Sequence, residues 1–140
     1  MVSGRHPKKV NEHFFDEESK GMYYVLGILF PCYIPIPNSN NGIIIRSSSK
    51  DLIQIVKDKM ESEHDIISDP RGISSYSIQM TSVPYLRSKL EEMDLVEDKS
   101  KRRFPDYIGR HYIRHFARGF SDAQSNVRIE DNRLVYVYIL

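Results

Sequence analysis

The sequence predicts an α+β fold, one αββαββα unit followed by the opening of a second. Three patterns carry this reading. Tyr23–Phe30 is a continuous apolar stretch with a glycine inside it, and a second glycine-bearing stretch, Phe116–Ala123, follows much later in the chain. Tyr76, Ile78 and Met80 alternate with Ser75, Ser77, Gln79 and Thr81, the period of a strand with one apolar and one polar face. Between these stretches, clusters of turn and cap residues mark where each element begins and ends.

Residues 1–17 are polar and basic. The first helix is expected over Tyr23–Phe30, stopped by Pro31, which has no N–H to donate. Tyr33–Pro37 and Gly42–Ser48 flank Asn38-Ser39-Asn40-Asn41 and read as a hairpin, its first strand weakened by proline. Ser48 and Asp51 form an S-x-x-D cap for a second helix at about 50–62, with Leu52, Ile53, Val56 and Met60 at helical spacing. Asp65–Ser68 is the expected partner of the Tyr76 strand. Pro84 opens a third helix carrying Leu86, Leu90 and Met93. A loop with Lys99, Lys101, Arg102 and Arg103 leads through Pro105 to a fourth helix at about 111–122. Asn126–Ile129 and Leu134–Leu140 then bracket Asp131-Asn132 as a last hairpin. The chain thus divides into 1–17, a unit at 18–110, and an incomplete unit at 111–140.

With 140 residues, 40% hydrophobic and 11% aromatic, the chain suits one folded core rather than a disordered segment. A net charge of +1 neither demands nor excludes a nucleic-acid partner, because clustering of charge decides that. The single Cys32 excludes an internal disulfide, and MVSGRHPKKVNEHFF has no apolar signal region, so a cytoplasmic protein is expected. The apolar run from Met22 is broken by three prolines and is too short before the first of them to cross a bilayer. No membrane partner is expected.

The order of elements, with its two glycine-bearing helices, resembles the LAGLIDADG homing endonuclease family over most of the chain. Tyr24-Val25-Leu26-Gly27-Ile28-Leu29-Phe30 looks like the first motif helix, and Phe116-Ala117-Arg118-Gly119-Phe120-Ser121-Asp122-Ala123 like the second. LEEMDLVEDKSKRRFP resembles the lysine-serine and proline stretch that lies between the motifs. Gly27 and Gly119 are 92 positions apart, which leaves room for one αββαββα unit, and a glycine on each helix lets two backbones approach at a shared seam. The family's full second half has a further helix and more strands, so the resemblance implies a truncated second unit. An apolar strand at Leu134–Leu140 leaves a sheet edge wanting a partner, which makes a homodimer through that strand, or through the motif helices, one arrangement.

The resemblance also implies a metal-binding acid at the end of each motif helix, directly before a glycine. Here Pro31-Cys32-Tyr33 stands in place of small residue, acid and glycine, and Asp122-Ala123-Gln124-Ser125 aligns with D-A-D-G. Cys32 and Gln124 therefore occupy the acid positions. Hard Mg²⁺ prefers carboxylate, phosphate and water oxygens, so a thiol and a neutral amide would lose the clamp of a two-metal mechanism. Asp122 lies two residues before the acid position, a rotation of about 200° expected to aim it away from the seam. Lys99 matches the family's lysine, where the resemblance implies a positive charge near the scissile phosphate. Lys101, Arg102 and Arg103 extend that charge, the alternative being a solvated basic loop. Arg46, Ser75, Ser77, Gln79 and Thr81 would lie on the sheet face that the family lays into the major groove, where short polar side chains reach base edges; a plain solvent face is their alternative.

His111 and His115 are one helical turn apart, but without the zincin glutamate or a cysteine cluster they read as exposed helix residues. Cys32 has no adjacent histidine or helix N-terminus to activate it and reads as a buried thiol. Arg114 and Arg118 either touch phosphate or cover the solvent side of their helix. The expected function is a LAGLIDADG-type protein that binds double-stranded DNA without cleaving it, with no cofactor. One alternative is an active site-specific endonuclease of intron or intein type, a Mg²⁺-dependent phosphodiester hydrolase in which Asp122 with Lys99, or a second subunit, supplies the missing chemistry. A remnant without a molecular partner is another.

Overall fold

A computed structural model describes residues 8–39, 41–68 and 75–128. Its elements are α1 (Lys20–Cys32), β1 (Tyr33–Pro35), β2 (Ile43–Ser47), α2 (Lys50–Lys59), β3 (Ile67–Ser68), β4 (Tyr76–Met80), α3 (Pro84–Glu92) and α4 (Ile113–Arg128). Four α-helices and one antiparallel sheet, ordered β1-β2-β4-β3, make the α+β class. No helix among the described residues is long and apolar enough to cross a membrane.

α1 is apolar around its circumference because it is covered around its circumference. Ten of its thirteen residues are buried, with α4 on one side and β2 and α2 among its other neighbours. Ser19 caps it by accepting from the Met22 N–H. The helix does not stop before Pro31 as expected but carries it inside the last turn. A proline there deletes only the bond to the Gly27 carbonyl, and the following turn has already ended in β1.

The sheet turns Tyr33, Ile43, Ile45, Ile78 and Met80 inward. The pairs Tyr33–Ile45, Ile43–Met80 and Ile45–Ile78 put them on one face, so the strand alternation read at Tyr76–Met80 holds. Capping of α2 shifts by one residue: Ser49, not Ser48, accepts from Leu52 N at 3.2 Å, while Ser47 Oγ takes the Ser49 N–H at 3.0 Å. α3 begins at Pro84 as its sequence requires. Its Arg87 donates through Nη1 to the carbonyls of Ile36 and Gly42, each at 3.0 Å, and of Ser39, and so holds the turn between β1 and β2. Within the segment read as polar, Phe15 is buried, and Asn11 and Lys9 are hydrogen-bonded to Met60 and Glu63 at the end of α2.

α4 differs most from expectation. It continues through Asp122-Ala123-Gln124-Ser125 to Arg128, where a strand from Asn126 was expected. None of those residues is a proline or glycine, and Ala123 is fully buried, so the helix has a reason to persist. Ile129 and the expected hairpin strand Leu134–Leu140 lie outside the described residues. α1 and α4 run in the same direction: Tyr23 stacks on Tyr112 near their starts at 5.0 Å, and Pro31 shares a cleft with Gln124 near their ends. Between these points the backbones touch. A Cβ built on Gly27 would lie 2.1 Å from the Phe116 carbonyl oxygen, and one on Gly119 would lie 2.0 Å from that of Tyr24.

Gly119→Ala is therefore expected to lower stability by at least about 3 kcal/mol, the upper end of overpacking costs, because backbone must move to admit the methyl group. Gly21→Ala is the control. Its Cβ would meet the Lys59 side chain at 3.6 Å and Ser19 Oγ at 3.9 Å, both ordinary van der Waals distances, so a neutral effect or a gain of up to about 1 kcal/mol is expected. Urea unfolding midpoints that fall equally in both variants would remove the close approach. Glu61 ends α2 at φ 56°, with the Ser62 N–H on the Lys57 carbonyl, a termination suited to glycine. Glu61→Gly should raise stability by about 0.5–1 kcal/mol, and an unchanged or lower midpoint would contradict that strain.

Candidate functional site

The C-terminal end of α1 presents carbonyl oxygens that no further turn can satisfy, and two cations from the loop after α3 occupy them. Lys99 Nζ donates to Pro31 O at 2.6 Å. Arg102 donates to Phe30 O at 2.6 Å, to Tyr33 O at 2.8 Å and to Val96 O at 2.7 Å, with its guanidinium 5.4 Å from the Tyr33 ring centre. Placing positive charge at a helix C-terminus is favourable in itself. Arg102, expected at phosphate, is thus committed to the fold. Lys101 is exposed, and the Arg103 side chain is 82% exposed with Asp94 at 4.0 Å, so these two remain available to a partner.

Cys32, expected at the first acid position, is 3% exposed. Burial pushes its thiol up to about 11, opposed by Lys99, a hydrogen bond with Ser47, and Arg102. A neutral, desolvated thiol is no ligand for Mg²⁺. Tyr33, the next residue, is a fully buried side chain. Burial lowers the Lys99 ammonium; Cys32 opposes this, and the positive charges of Arg102 and Arg46 add to it.

Between the ends of α1 and α4 lies a cleft of about 460 Å³ lined by Phe30, Pro31, Lys99, Arg102, Phe104, Phe120 and Gln124. Lys99 and Gln124, singled out from sequence, are thereby brought together. Asp122 is not among the lining residues. Rather than pointing away from the seam, it crosses to α1 and accepts from the Tyr24 hydroxyl at 2.6 Å. The expected rotation was counted from Gln124, but the seam is defined by Gly119, from which Asp122 stands only about 60° around the helix. Arg118 lies 4.6 Å from the Tyr24 ring centre on the same flank.

The outward face of the sheet collects the other named residues. Arg46 pairs with Ser77 and Gln79 with Ile44, while Ser75 and Thr81 flank β4. Arg46, Gln79 and Thr81 are exposed, and Ser75 and Ser77 half-buried. The face is not purely polar: Ile34, Ile44 and Ile67 share it by register. Sequence reading also missed Phe104, 57% exposed at the cleft mouth yet in ring contact with Phe30, Phe116 and Phe120 at 5.1–6.2 Å. Its signal was an aromatic residue inside a basic loop. His111 is exposed, but the Nε2 of His115 is buried without a hydrogen-bond partner. No group of three or more metal-binding side chains occurs among the described residues. The seam between α1 and α4 is filled within one chain.

No protein-family model, curated protein or solved structure matches this chain.

The buried thiol yields a pH test. An ordinary thiol near 9.0 is raised to about 11 on folding, so the folded chain holds the proton more tightly. Stability from this group is complete below pH 9 and is lost as pH rises toward 11, with a slope of at most about 1.4 kcal/mol per pH unit. Cys32→Ala should flatten that part of the alkaline stability curve. A thiol reagent that labels native Cys32 at pH 8 as fast as it labels the urea-unfolded chain would show the thiol is not shielded.

Proposed function

We propose that this chain is a LAGLIDADG-type protein that binds double-stranded DNA and does not cleave it. The observation that carries the reading is the pair of co-directional helices in contact at Gly27 and Gly119, beside a four-stranded sheet whose outward face holds Arg46, Ser77 and Gln79. Chemistry at the helix ends supports the loss of cleavage. Where two carboxylates would hold Mg²⁺, the chain offers a buried thiol at Cys32 and an amide at Gln124, and the nearest alternative acid, Asp122, is bonded to Tyr24. This donor set does not fit the metal.

Duplex is held, in this reading, by phosphate contacts from Lys99, Lys101 and Arg103 and by base-edge contacts from the sheet face, Arg46 included. Arg102 supports Lys99 from behind without touching DNA. Affinity for a 20-base-pair duplex should fall steeply with salt, and replacing both Lys101 and Arg103 with glutamine should reduce the log–log slope by about 2. Ser77→Ala with Gln79→Ala should alter sequence preference more than affinity for random duplex. Absence of duplex binding at low salt would end this reading, and Mg²⁺-dependent cleavage of a plasmid library by the purified chain would replace it with the endonuclease.

A further inference from the structure

The cleft at the helix ends has properties that a metal site does not need. It is of small-molecule size, about 460 Å³. Its mouth carries Phe104, more than half exposed, whose orientation is fixed by an edge-on contact with Phe120 at 5.1 Å and a tilted one with Phe30 at 6.2 Å. An aromatic face held still and left wet is a surface on which a planar ring can stack at little conformational cost. Beside it, Lys99 spends one of its three N–H donors on Pro31 O and keeps the others for an anion. Arg102 lines the same cleft, so two cationic side chains border it. Gln124, on the α4 side of the cleft, has both a donor and an acceptor for the edge of a heterocycle.

A planar heterocycle joined to a phosphate matches all three walls. We propose that this cleft takes one unpaired nucleotide of a nucleic-acid strand, its base against Phe104 and Phe120, its edge at Gln124 and its phosphate at Lys99. The proposal rests on the DNA-binding reading and deepens it: the protein recognises duplex carrying an extrahelical or unpaired nucleotide, rather than uniform duplex alone. A base stacked in its duplex cannot enter, so the strand must already be distorted or must flip the nucleotide out, which is easiest at a bulge or mismatch.

Fluorescence anisotropy at fixed salt with the full chain tests this, using a labelled 20-base-pair duplex, the same duplex with one bulged thymidine, and thymidine 5′-monophosphate as competitor. The bulged duplex should bind roughly five- to 150-fold more tightly, the range that base–aromatic stacking spans. The monophosphate should erase that preference, and Phe104→Ala should abolish it while leaving uniform-duplex affinity unchanged. Phe104→Leu, which keeps an apolar side chain without a π face, should lose most of it as well. Equal affinity for the two duplexes, or a preference that survives Phe104→Ala, would overturn the nucleotide cleft and leave the duplex-binding reading in place. Failure to bind either duplex would overturn both.

Discussion

Backbone contact between α1 and α4 governs the rest of the molecule. Two helices normally keep 8–10 Å between their axes because side chains intervene; at Gly27 and Gly119 there are none, and a carbonyl of each helix occupies the space of the other's missing Cβ. Three consequences follow from this one constraint. α1 loses its solvent face and must be apolar throughout. Phe116 and Ala123 join the same buried cluster as the sheet. The two helix ends are delivered side by side, so that Pro31 and Gln124 line one cleft, while Cys32 is buried.

What stands there is positive charge. An acid at a helix C-terminus adds negative charge to an end that is already negative, and a divalent ion is needed to balance both. In this chain Lys99 and Arg102 answer the carbonyls of Phe30 and Pro31 directly. A neutral buried thiol at Cys32 is compatible with a lysine and an arginine in that position. Phe104 follows Arg102 by two residues, so the segment that neutralises the helix end also supplies the aromatic rim.

Local periodicity made much of this architecture legible. The β4 alternation and the proline start of α3 depend on spacing within one element, the paired glycines on a match between two, and each holds. What sequence could not show are choices among equivalent residues. Ser48 and Ser49 are both competent caps, and only the path of the chain leaving β2 selects Ser49. Arg102 and Arg103 are neighbours of one type, yet one is bound into the fold and the other faces solvent. Ile43-Ile44-Ile45 is uniformly apolar, which hides that Ile44 belongs to the outward face. The run from Asp122 to Asn126 looks like a turn because polar residues cluster there, but burial of Ala123 keeps it helical. Asp122 was misjudged because its angle was measured from a neighbour rather than from the seam.

The grip of Arg87 on the turn between β1 and β2 reaches beyond stability. Asn38 in that turn sits at φ 62°, and residues of its kind ordinarily sample many conformations. Three carbonyls converging on one guanidinium from α3 collapse that freedom when the chain folds. The edge of the sheet next to the outward face is thus preorganised: a partner arriving there meets a surface whose ordering entropy was lost at folding, and association need not oppose it a second time.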